Sequence, residues 1–344
     1  ATPSRSAAGG PARQARGAMP GLVRGAPPPA NHARSPFEER YPRTPRRSIL
    51  GRGSYGVVFP VVVQGAPKRR YVAKEIRLAS ASAARQREML LEGELLRSLS
   101  HPNIVGCIDA LLLDSSLYIV MEFASGGDLA QKIRAQRELD ERLPERTVMR
   151  VFVQVAAALG YVHARKILHR DIKPANLFVF GPSSLDASVV KLGDFGLGKM
   201  FDGSTFETQT VVGSPLYFSP EVCKGKPYGR KSDVWSLGVV LYELVSLSVP
   251  FPAKSVIAAA VMICRSDPAA LPAEYSCKLK DLAGRLLQKD PRARPAIATA
   301  LQEPFVQQFA EGPPEEEPRK DPPPAPVPAA PGAAPAVAPE PEAE

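Results

Sequence analysis

The chain has 344 residues, of which 44% are hydrophobic and 23% charged, and its formal net charge is +9. A chain of this length and hydrophobic content can bury a sizeable core, either in one large domain or in two modest lobes. Its four cysteines form no CxxC pair, which excludes the common zinc-site patterns and favours reduced, buried thiols. No run of about 18 apolar residues occurs, so we expect no membrane-spanning helix.

The charge is unevenly distributed along the chain. Residues 1–37 contain five arginines and no acidic residue, whereas residues 311–344 contain eight acidic residues and two basic ones. Both ends are rich in proline and alanine without apolar periodicity, and we predict that 1–44 and 309–344 are disordered tails. The basic residues do not cluster with aromatic ones, so we expect no nucleic-acid partner.

Two alternatives for the tails stay open. The acid-poor, arginine-rich opening also resembles an organelle transit peptide, and the chain begins with Ala1 instead of methionine, which leaves its natural start undetermined. The run PPPAPVP at 322–328 could bind an aromatic groove as a polyproline helix.

The first predicted elements after the basic tail are strands and one helix. The β-rich runs 48–63 and 69–78 are separated by the turn QGAPK, and 111–123 indicates two strands around a serine turn. Between them, 83–99 has the apolar spacing of a helix. Gly93 lies inside this helix, and we consider two readings: a helix that swings easily, or a tolerated exposed glycine.

The chain becomes mostly helical after the segment SGGDL at 125–129. Apolar spacing predicts five helices, at 128–138, 145–164, 231–247, 254–265 and 277–288. The order of elements therefore predicts an α+β, bilobal protein with a β-rich N-lobe that has one main helix and a mostly helical C-lobe.

The stretch GRGSYGVV at 51–58 fits the spacing G-x-G-x-x-G-x-V between two strands. Glycines at Gly51, Gly53 and Gly56 would let backbone N–H groups approach phosphates without obstruction by a Cβ atom. A tight hairpin turn explains three glycines equally well, so this stretch is weak evidence by itself.

Lys74 lies on the next predicted strand. A lysine on the buried side of a strand needs an acidic partner, and Glu92 in the following helix can supply it. The alternative is an ordinary surface lysine whose ammonium group reaches water.

The stretch HRDIKPAN at 169–176 has the chemistry of a phosphoryl-transfer loop. Asp171 can accept the proton of an attacking hydroxyl, Lys173 can contact the transferred phosphate, and Asn176 can ligate a hard cation. Asp194 follows a short apolar strand, where it can hold Mg²⁺ against phosphate oxygens. Chance assembly of all these elements in this order is very improbable.

These motifs resemble those of eukaryotic protein kinases over residues 48–308. Within that superfamily the chain is most similar to the NIMA-related (NEK) serine/threonine kinases. The narrower resemblance rests on HPNIV (101–105), LYIVMEFASGGDL (117–129), ARKILHRDIKPANLF (164–178), KLGDFGLGK (191–199) and VVGSPLYFSPE (211–221). We therefore place a kinase domain at 45–308, with N-lobe 45–121, hinge 122–127 and C-lobe 128–308.

The resemblance implies an ATP and Mg²⁺ site in the cleft between the lobes. The ATP-binding residues would be Gly51, Gly53, Gly56, Val58, Val72, Lys74, Met121, Glu122, Phe123, Ala124 and Phe178. The catalytic residues would be Asp171, Lys173, Lys74 and Glu92, and the metal ligands Asn176 and Asp194. Arg170, Glu221, Asp233 and Arg294 would have structural roles, with Glu221 and Arg294 forming a buried ion pair.

The segment 199–214 has the position of a kinase activation segment and is rich in hydroxyl groups. We predict that phosphorylation of Thr210 orders it by pairing with Arg170 and Lys199. Ser214, a second predicted phosphorylation site, occupies the position that contacts Asp171 and Lys173 in related kinases. Thr205 and Thr208 are weaker candidates.

The leading interpretation is an active serine/threonine protein kinase that has a protein substrate and is activated by phosphorylation of this segment. The alternatives are a pseudokinase that binds partners through the same fold, and a phosphotransferase for small molecules. We expect a cytoplasmic protein, with cytoskeleton, centrosome, cilium or nucleus suggested by family analogy alone. An upstream kinase is an expected partner. The tail has no heptads, so a coiled coil is not predicted.

Overall fold

A computed structural model describes residues 36–42, 49–53, 56–63, 70–78, 81–181, 184–195 and 215–310. These residues form an antiparallel β-sheet lobe followed by a helical lobe, so the predicted α+β, bilobal fold is confirmed.

The N-lobe is built on a five-stranded antiparallel sheet with strand order β1-β2-β3-β5-β4. The strands are β1 Gly51–Gly53, β2 Gly56–Val61, β3 Tyr71–Arg77, β4 Cys107–Leu113 and β5 Ser116–Glu122. Pro60 lies within β2 and pairs only with β3, because β1 pairs no further than Val58. Its missing N–H therefore costs no ladder bond.

The register of the sheet assigns its side chains to two faces. Val58 opposes Lys74, which opposes Ile119, and Val72 opposes Met121. Because side chains alternate along a strand, these five residues share one face, which is turned toward the cleft. The other face carries an aromatic and aliphatic cluster that includes Phe59, Tyr71, Ala73, Tyr118 and Val120.

Helix α1, Pro36–Arg40, covers this second face. Phe37 and Tyr41 are each only 1% exposed. The backbone N–H of Val62 donates to the carbonyl of Pro42 at 3.0 Å. The prediction that residues 1–44 form a disordered tail is therefore wrong for 36–42. Phe37 and Tyr41 are too few apolar residues to reveal a helical period in the sequence. Contacts with the sheet order this segment.

Helix α2, Ala83–Ser98, is capped by Ser82, whose hydroxyl accepts from the N–H of Arg85 at 3.3 Å. Gly93 is buried against β4, where a Cβ atom would lie 2.7 Å from the Cβ of Ala110. The interpretation of Gly93 as an exposed, tolerated glycine is therefore wrong. The glycine allows close approach of helix and sheet, and an alanine there would force them apart.

The described residues of the C-lobe contain helices at all five predicted positions and three short ones. They are α3 Leu129–Leu139, α4 Glu145–Ala164, α5 Pro220–Cys223, α6 Arg230–Ser246, α7 Val256–Arg265, α8 Cys277–Leu286, α9 Ile297–Leu301 and α10 Pro304–Gln307. Helix α4 is long and apolar enough to cross a membrane, but it is mostly buried as a central helix of the C-lobe core.

A two-stranded sheet lies under the cleft. It pairs β6, Leu177–Phe180, with β7, Val189–Leu192, antiparallel. Leu192 donates its N–H to Asn103 at 2.8 Å and accepts from the N–H of Val105 at 2.9 Å. The chain between α2 and β4 is thereby attached to the floor of the cleft.

Candidate active site

The apolar part of the cleft lies between the inner face of the N-lobe sheet and β6. Val72 is buried, Val58 and Met121 are half-buried, and half-buried Phe178 approaches from below. A Cβ atom on Gly193 would lie 3.0 Å from the ring of Phe178 and 2.7 Å from Val105. Glycine at 193 therefore keeps Phe178 in its position at the floor.

The glycine-rich loop connects β1 and β2, with Gly53 opposite Gly56 in a hairpin. Gly56 has φ +151°, and a Cβ atom there would lie 1.9 Å from the carbonyl oxygen of Glu75. Only glycine fits at this close approach of two strands. Ser54 and Tyr55, at the tip, lie outside the described residues.

The hinge is held by backbone and side-chain bonds. Phe123 donates its N–H to Arg70 at 3.1 Å, and the carbonyl of Ala124 accepts from Gly127 at 3.4 Å. The carboxylate of Glu122 receives a bond from Nζ of Lys191 at 2.7 Å, and Lys191 is only 3% exposed. This buried ion pair fixes the start of the hinge to β7.

Three polar side chains converge in the loop that follows α4. Nζ of Lys173 donates to Oδ2 of Asp171 at 2.8 Å, and Nδ2 of Asn176 donates to the same oxygen at 3.0 Å. Nδ2 of Asn176 also donates to the carbonyl of Asp171 at 2.8 Å. Since its amide nitrogen is engaged with Asp171, the side-chain oxygen of Asn176 is the atom that can ligate a cation.

Asp233, fully buried at the start of α6, holds the backbone of this loop. Its Oδ2 accepts from the N–H of His169 at 3.1 Å and its Oδ1 from the N–H of Arg170 at 3.0 Å. His163 at 2.8 Å and the hydroxyl of Tyr228 at 2.6 Å complete its contacts. Burial acts to raise the pKa of Asp233, but the hydrogen bonds from His163 and Tyr228 hold it below its ordinary value.

Two residues of the candidate active site have strained backbone conformations. Arg170 has φ +67° and Asp194 has φ +52°, both in the left-handed region that side chains rarely adopt. His169 is fully buried, and burial lowers its pKa, so its ring is neutral. Its Nε2 donates to the carbonyl of Gly193 at 3.1 Å, and Nδ1 accepts from the N–H of Asp171 at 3.3 Å.

Lys74 is paired with Asp194 and not with Glu92. The two side chains form a direct ion pair across the cleft. Both carboxylate oxygens of Glu92 are buried and have no hydrogen-bond partner among the described residues. Burial raises the pKa of Glu92 to about 7, although the charges of Arg85 and Arg170 act to lower it. The expected Lys74–Glu92 pair is therefore not formed in this arrangement of α2.

Glu221 and Arg294 form the ion pair that the resemblance implies. The guanidinium donates to the two carboxylate oxygens at 2.7 and 2.5 Å, and Ser232 donates to one of them at 2.8 Å. The side chain of Arg294 is 0% exposed. Burial acts to raise the pKa of Glu221, but the bonds from Arg294 and Ser232 lower it below the ordinary range.

Predicted phosphorylation sites Thr210 and Ser214, together with Thr205 and Thr208, lie outside the described residues.

Several residues that build the site carried no clear signal in the sequence. His163 and Tyr228 are isolated polar residues in apolar or turn segments, and only the fold brings them to Asp233. The role of Lys191 was missed because a lysine between Val190 and Leu192 could equally face solvent. Alternation along the strand gives no prediction here, since all four residues of β7 are buried.

Comparison with known proteins agrees with this geometry. The family model described as "Protein kinase domain" matches residues 45–306. Serine/threonine-protein kinase Nek3 from Mus musculus is 38% identical over 253 residues, which are 74% of this chain and 47% of that protein. Serine/threonine-protein kinase nekl-2 from Caenorhabditis elegans is 36% identical over 266 residues, 75% of this chain and 72% of that protein.

The chain therefore belongs to the protein kinase family, and within it to the NEK group, as the sequence motifs predict. It spans less than half the length of some of these relatives. Nek5 from Mus musculus, for example, is 37% identical over 259 residues, which cover 75% of this chain and 40% of that protein.

Proposed function

We propose that this protein is a serine/threonine protein kinase that transfers the γ-phosphate of ATP to hydroxyl groups of protein substrates. The observation that carries the proposal is the side-chain cluster of Asp171, Lys173 and Asn176, whose loop backbone is held by the buried carboxylate of Asp233. Such a cluster, fixed from behind, is suited to chemistry that depends on positioning and electrostatics.

The cleft fits an adenine nucleotide. Val58, Val72 and Met121 share the inner face of the sheet opposite Phe178, and this apolar gap can hold a flat base. The Glu122–Lys191 pair holds the neighbouring backbone in place for hydrogen bonds to the base. Gly56 lets β2 pack closely on β3 beside the loop that would cover the phosphates.

The donor set also fits Mg²⁺. Asn176 and Asp194 can offer one amide oxygen and one carboxylate, and phosphate oxygens and water usually complete the coordination of this ion. Among the described residues no group of three or more His, Cys, Asp or Glu side chains could hold a metal alone. The site is thus suited to an ion that arrives with the nucleotide, and when bound the ion neutralises phosphate charge.

The residues of the chain then have separate tasks. Asp171 accepts the proton of the substrate hydroxyl, and its carboxylate is oriented for this by Lys173 and Asn176. Lys173 lies close enough to Asp171 to contact the transferred group as well. Lys74 leaves Asp194 to bind phosphate oxygens, which frees the Asp194 carboxylate for the metal ion.

Asp171→Asn tests this proposal. The amide has nearly the same shape but cannot accept the proton, so we expect kcat for phosphorylation of a serine/threonine peptide array to fall at least about 10²-fold. ATP binding, measured by calorimetry, should remain. The matched control is Asp281→Asn, the same change at an exposed carboxylate on α8, which should keep full activity. Equal turnover of wild type and Asp171→Asn would contradict the proposal, and wild type that binds ATP without turnover would favour the pseudokinase.

We propose further that phosphorylation of Thr210 activates the enzyme. A phosphate brings a charge of about −1.5 to −2, and Arg170 beside the Asp171 cluster is the cation it would reach. Mass spectrometry of the active protein should find phosphate at Thr210, and Thr210→Ala should lower kcat about tenfold or more. Full activity of the alanine variant would rule out this site while leaving the kinase activity itself intact.

A further inference from the structure

Helix α1 lies outside the part of the chain that the family model matches, yet it is an integral part of the N-lobe. The ring of Phe37 stacks on Tyr118 with centroids 4.1 Å apart and meets Phe59 edge-on at 6.1 Å. Such aromatic contacts favour a defined orientation in addition to burying area. Helix α1 is therefore held in a fixed position on the sheet.

This docking delivers two polar side chains to one buried carboxylate. Tyr41 donates its hydroxyl to Oδ2 of Asp109 at 2.5 Å, and the guanidinium of Arg40 lies 2.9 Å from the same oxygen. Asp109 is only 2% exposed. Burial and the Asp109 carboxylate raise the pKa of Tyr41 far above its ordinary value, so its hydroxyl stays a donor. Asp109 occurs at an irregularity in β4 that begins after Cys107.

The second oxygen of the same carboxylate faces helix α2. Oδ1 of Asp109 accepts from the N–H of Ala110 at 3.0 Å and lies 3.6 Å from the guanidinium of Arg97. Arg97 is in the last turn of α2, and Glu92 lies earlier on the same helix. Asp109 thus joins three elements: α1 through one oxygen, β4 by its own backbone, and the end of α2 through the other.

We infer that Tyr41 is a positioning residue for α2, acting through Asp109 and Arg97, an inference that rests on the proposed kinase function. Glu92 must approach Lys74 for the expected ion pair to form, which requires α2 to move. Because the C-terminal end of α2 is held at Arg97, the helix can move only by rotating about that end. When Tyr41 no longer orients Asp109, the end of α2 has more positions available, and the fraction with Glu92 at Lys74 falls.

Tyr41→Phe tests the inference because it removes one hydroxyl and keeps the ring. We expect kcat/KM for ATP to fall about threefold to tenfold, with little change in KM for the peptide. Arg97→Met should have a similar effect, and the double variant should be no worse than Arg97→Met alone, since both changes break one chain of contacts. Additive losses in the double variant would contradict the inference.

The control is Tyr275→Phe. Tyr275 is also buried and donates its hydroxyl to the carbonyl of Leu143 at 2.7 Å, but in the C-lobe. Both tyrosine variants should lose some thermal stability, and only Tyr41→Phe should change the kinetics for ATP. A merely structural role for Tyr41 would give two variants with lowered Tm and unchanged kcat/KM.

Amide hydrogen exchange measures the mobility of α2 independently of turnover. Amides in the last turn of α2 should exchange at least about threefold faster in Tyr41→Phe than in wild type or Tyr275→Phe. Unchanged exchange there would overturn the inference even in an active enzyme. Inactive wild type with the expected exchange pattern would instead overturn the proposed function and leave the coupling of α1 to α2 standing.

Discussion

Replacing Arg294 by methionine is expected to destabilise the protein by about 3–5 kcal/mol, because the change leaves the buried carboxylate of Glu221 without its cation. The guanidinium also donates to the carbonyl groups of Gln288 at 2.7 Å and Lys231 at 2.6 Å, and these bonds are lost too. For a domain of this size, thermal unfolding should show Tm lowered by about 10 °C.

Two further variants separate the ion pair from simple loss of packing. Arg285→Met removes an arginine that pairs with Glu303 and Asp281 while still 36% exposed, so it should cost no more than about 1 kcal/mol. Replacing Arg294 and Glu221 together by methionine should recover much of the stability, because no buried charge is left unpaired. A double variant as unstable as Arg294→Met alone would contradict this account.

The pH dependence of the same variant follows from the lowered pKa of Glu221. In the wild type this pair adds stability above the ordinary pKa of a carboxyl group, and that stability is lost as pH falls toward the lowered value. Without Arg294, burial dominates and the pKa of Glu221 should rise, so the variant gains stability as the carboxyl is protonated. The difference in Tm between wild type and Arg294→Met should therefore be larger at pH 8 than at pH 5.

The sequence predicts most of the fold because each main element has its own local signal. The helix predicted at 145–164 has the same bounds as α4, and the apolar, β-branched run after the serine turn locates β5. Helix α1 could not be predicted in this way. Its five residues have no period to detect, and its order depends on Tyr118 and Asp109, which are far away in the sequence.

The candidate site, too, has residues that the sequence predicts and residues whose contacts only the fold determines. Positions such as Asp171 and Asn176 can be predicted because their chemistry requires fixed spacing within one loop. The partner of Lys74 could not be predicted, because the sequence offers two acidic candidates, Glu92 and Asp194, and only the fold shows that Asp194 forms the ion pair. In the observed arrangement α2 packs on β4 with Gly93 against Ala110, a contact between residues that are not neighbours in the sequence.

Glu92→Gln is expected to raise stability and lower activity, an opposite pair of effects that few substitutions produce. The carboxylate of Glu92 is only 6% exposed and neither oxygen has a hydrogen-bond partner among the described residues. Its pKa in this arrangement is about 7, raised mainly by burial. A group with a raised pKa contributes stability at low pH that is lost as pH rises through that value.

The stability of wild type and that of Glu92→Gln should depend differently on pH. Wild type should lose up to about 3 kcal/mol of stability between about pH 4.5 and pH 7, because over that range the carboxyl ionises in the unfolded chain but stays protonated while buried. Glutamine has no charge to bury, so Glu92→Gln should lack that loss and have the higher Tm at pH 8, with nearly equal Tm near pH 4.

Activity should change in the opposite direction. In the active arrangement that the family resemblance implies, the Glu92 carboxylate holds Lys74, and a neutral amide would give a weaker bond, so kcat/KM for ATP should fall about 10-fold to 100-fold. Glu94→Gln, at an exposed carboxylate on the same helix, is the control and should change neither property. If Glu92→Gln were less stable than wild type at pH 8, Glu92 would already be paired in solution. The arrangement with Lys74 on Asp194 would then be a minor state.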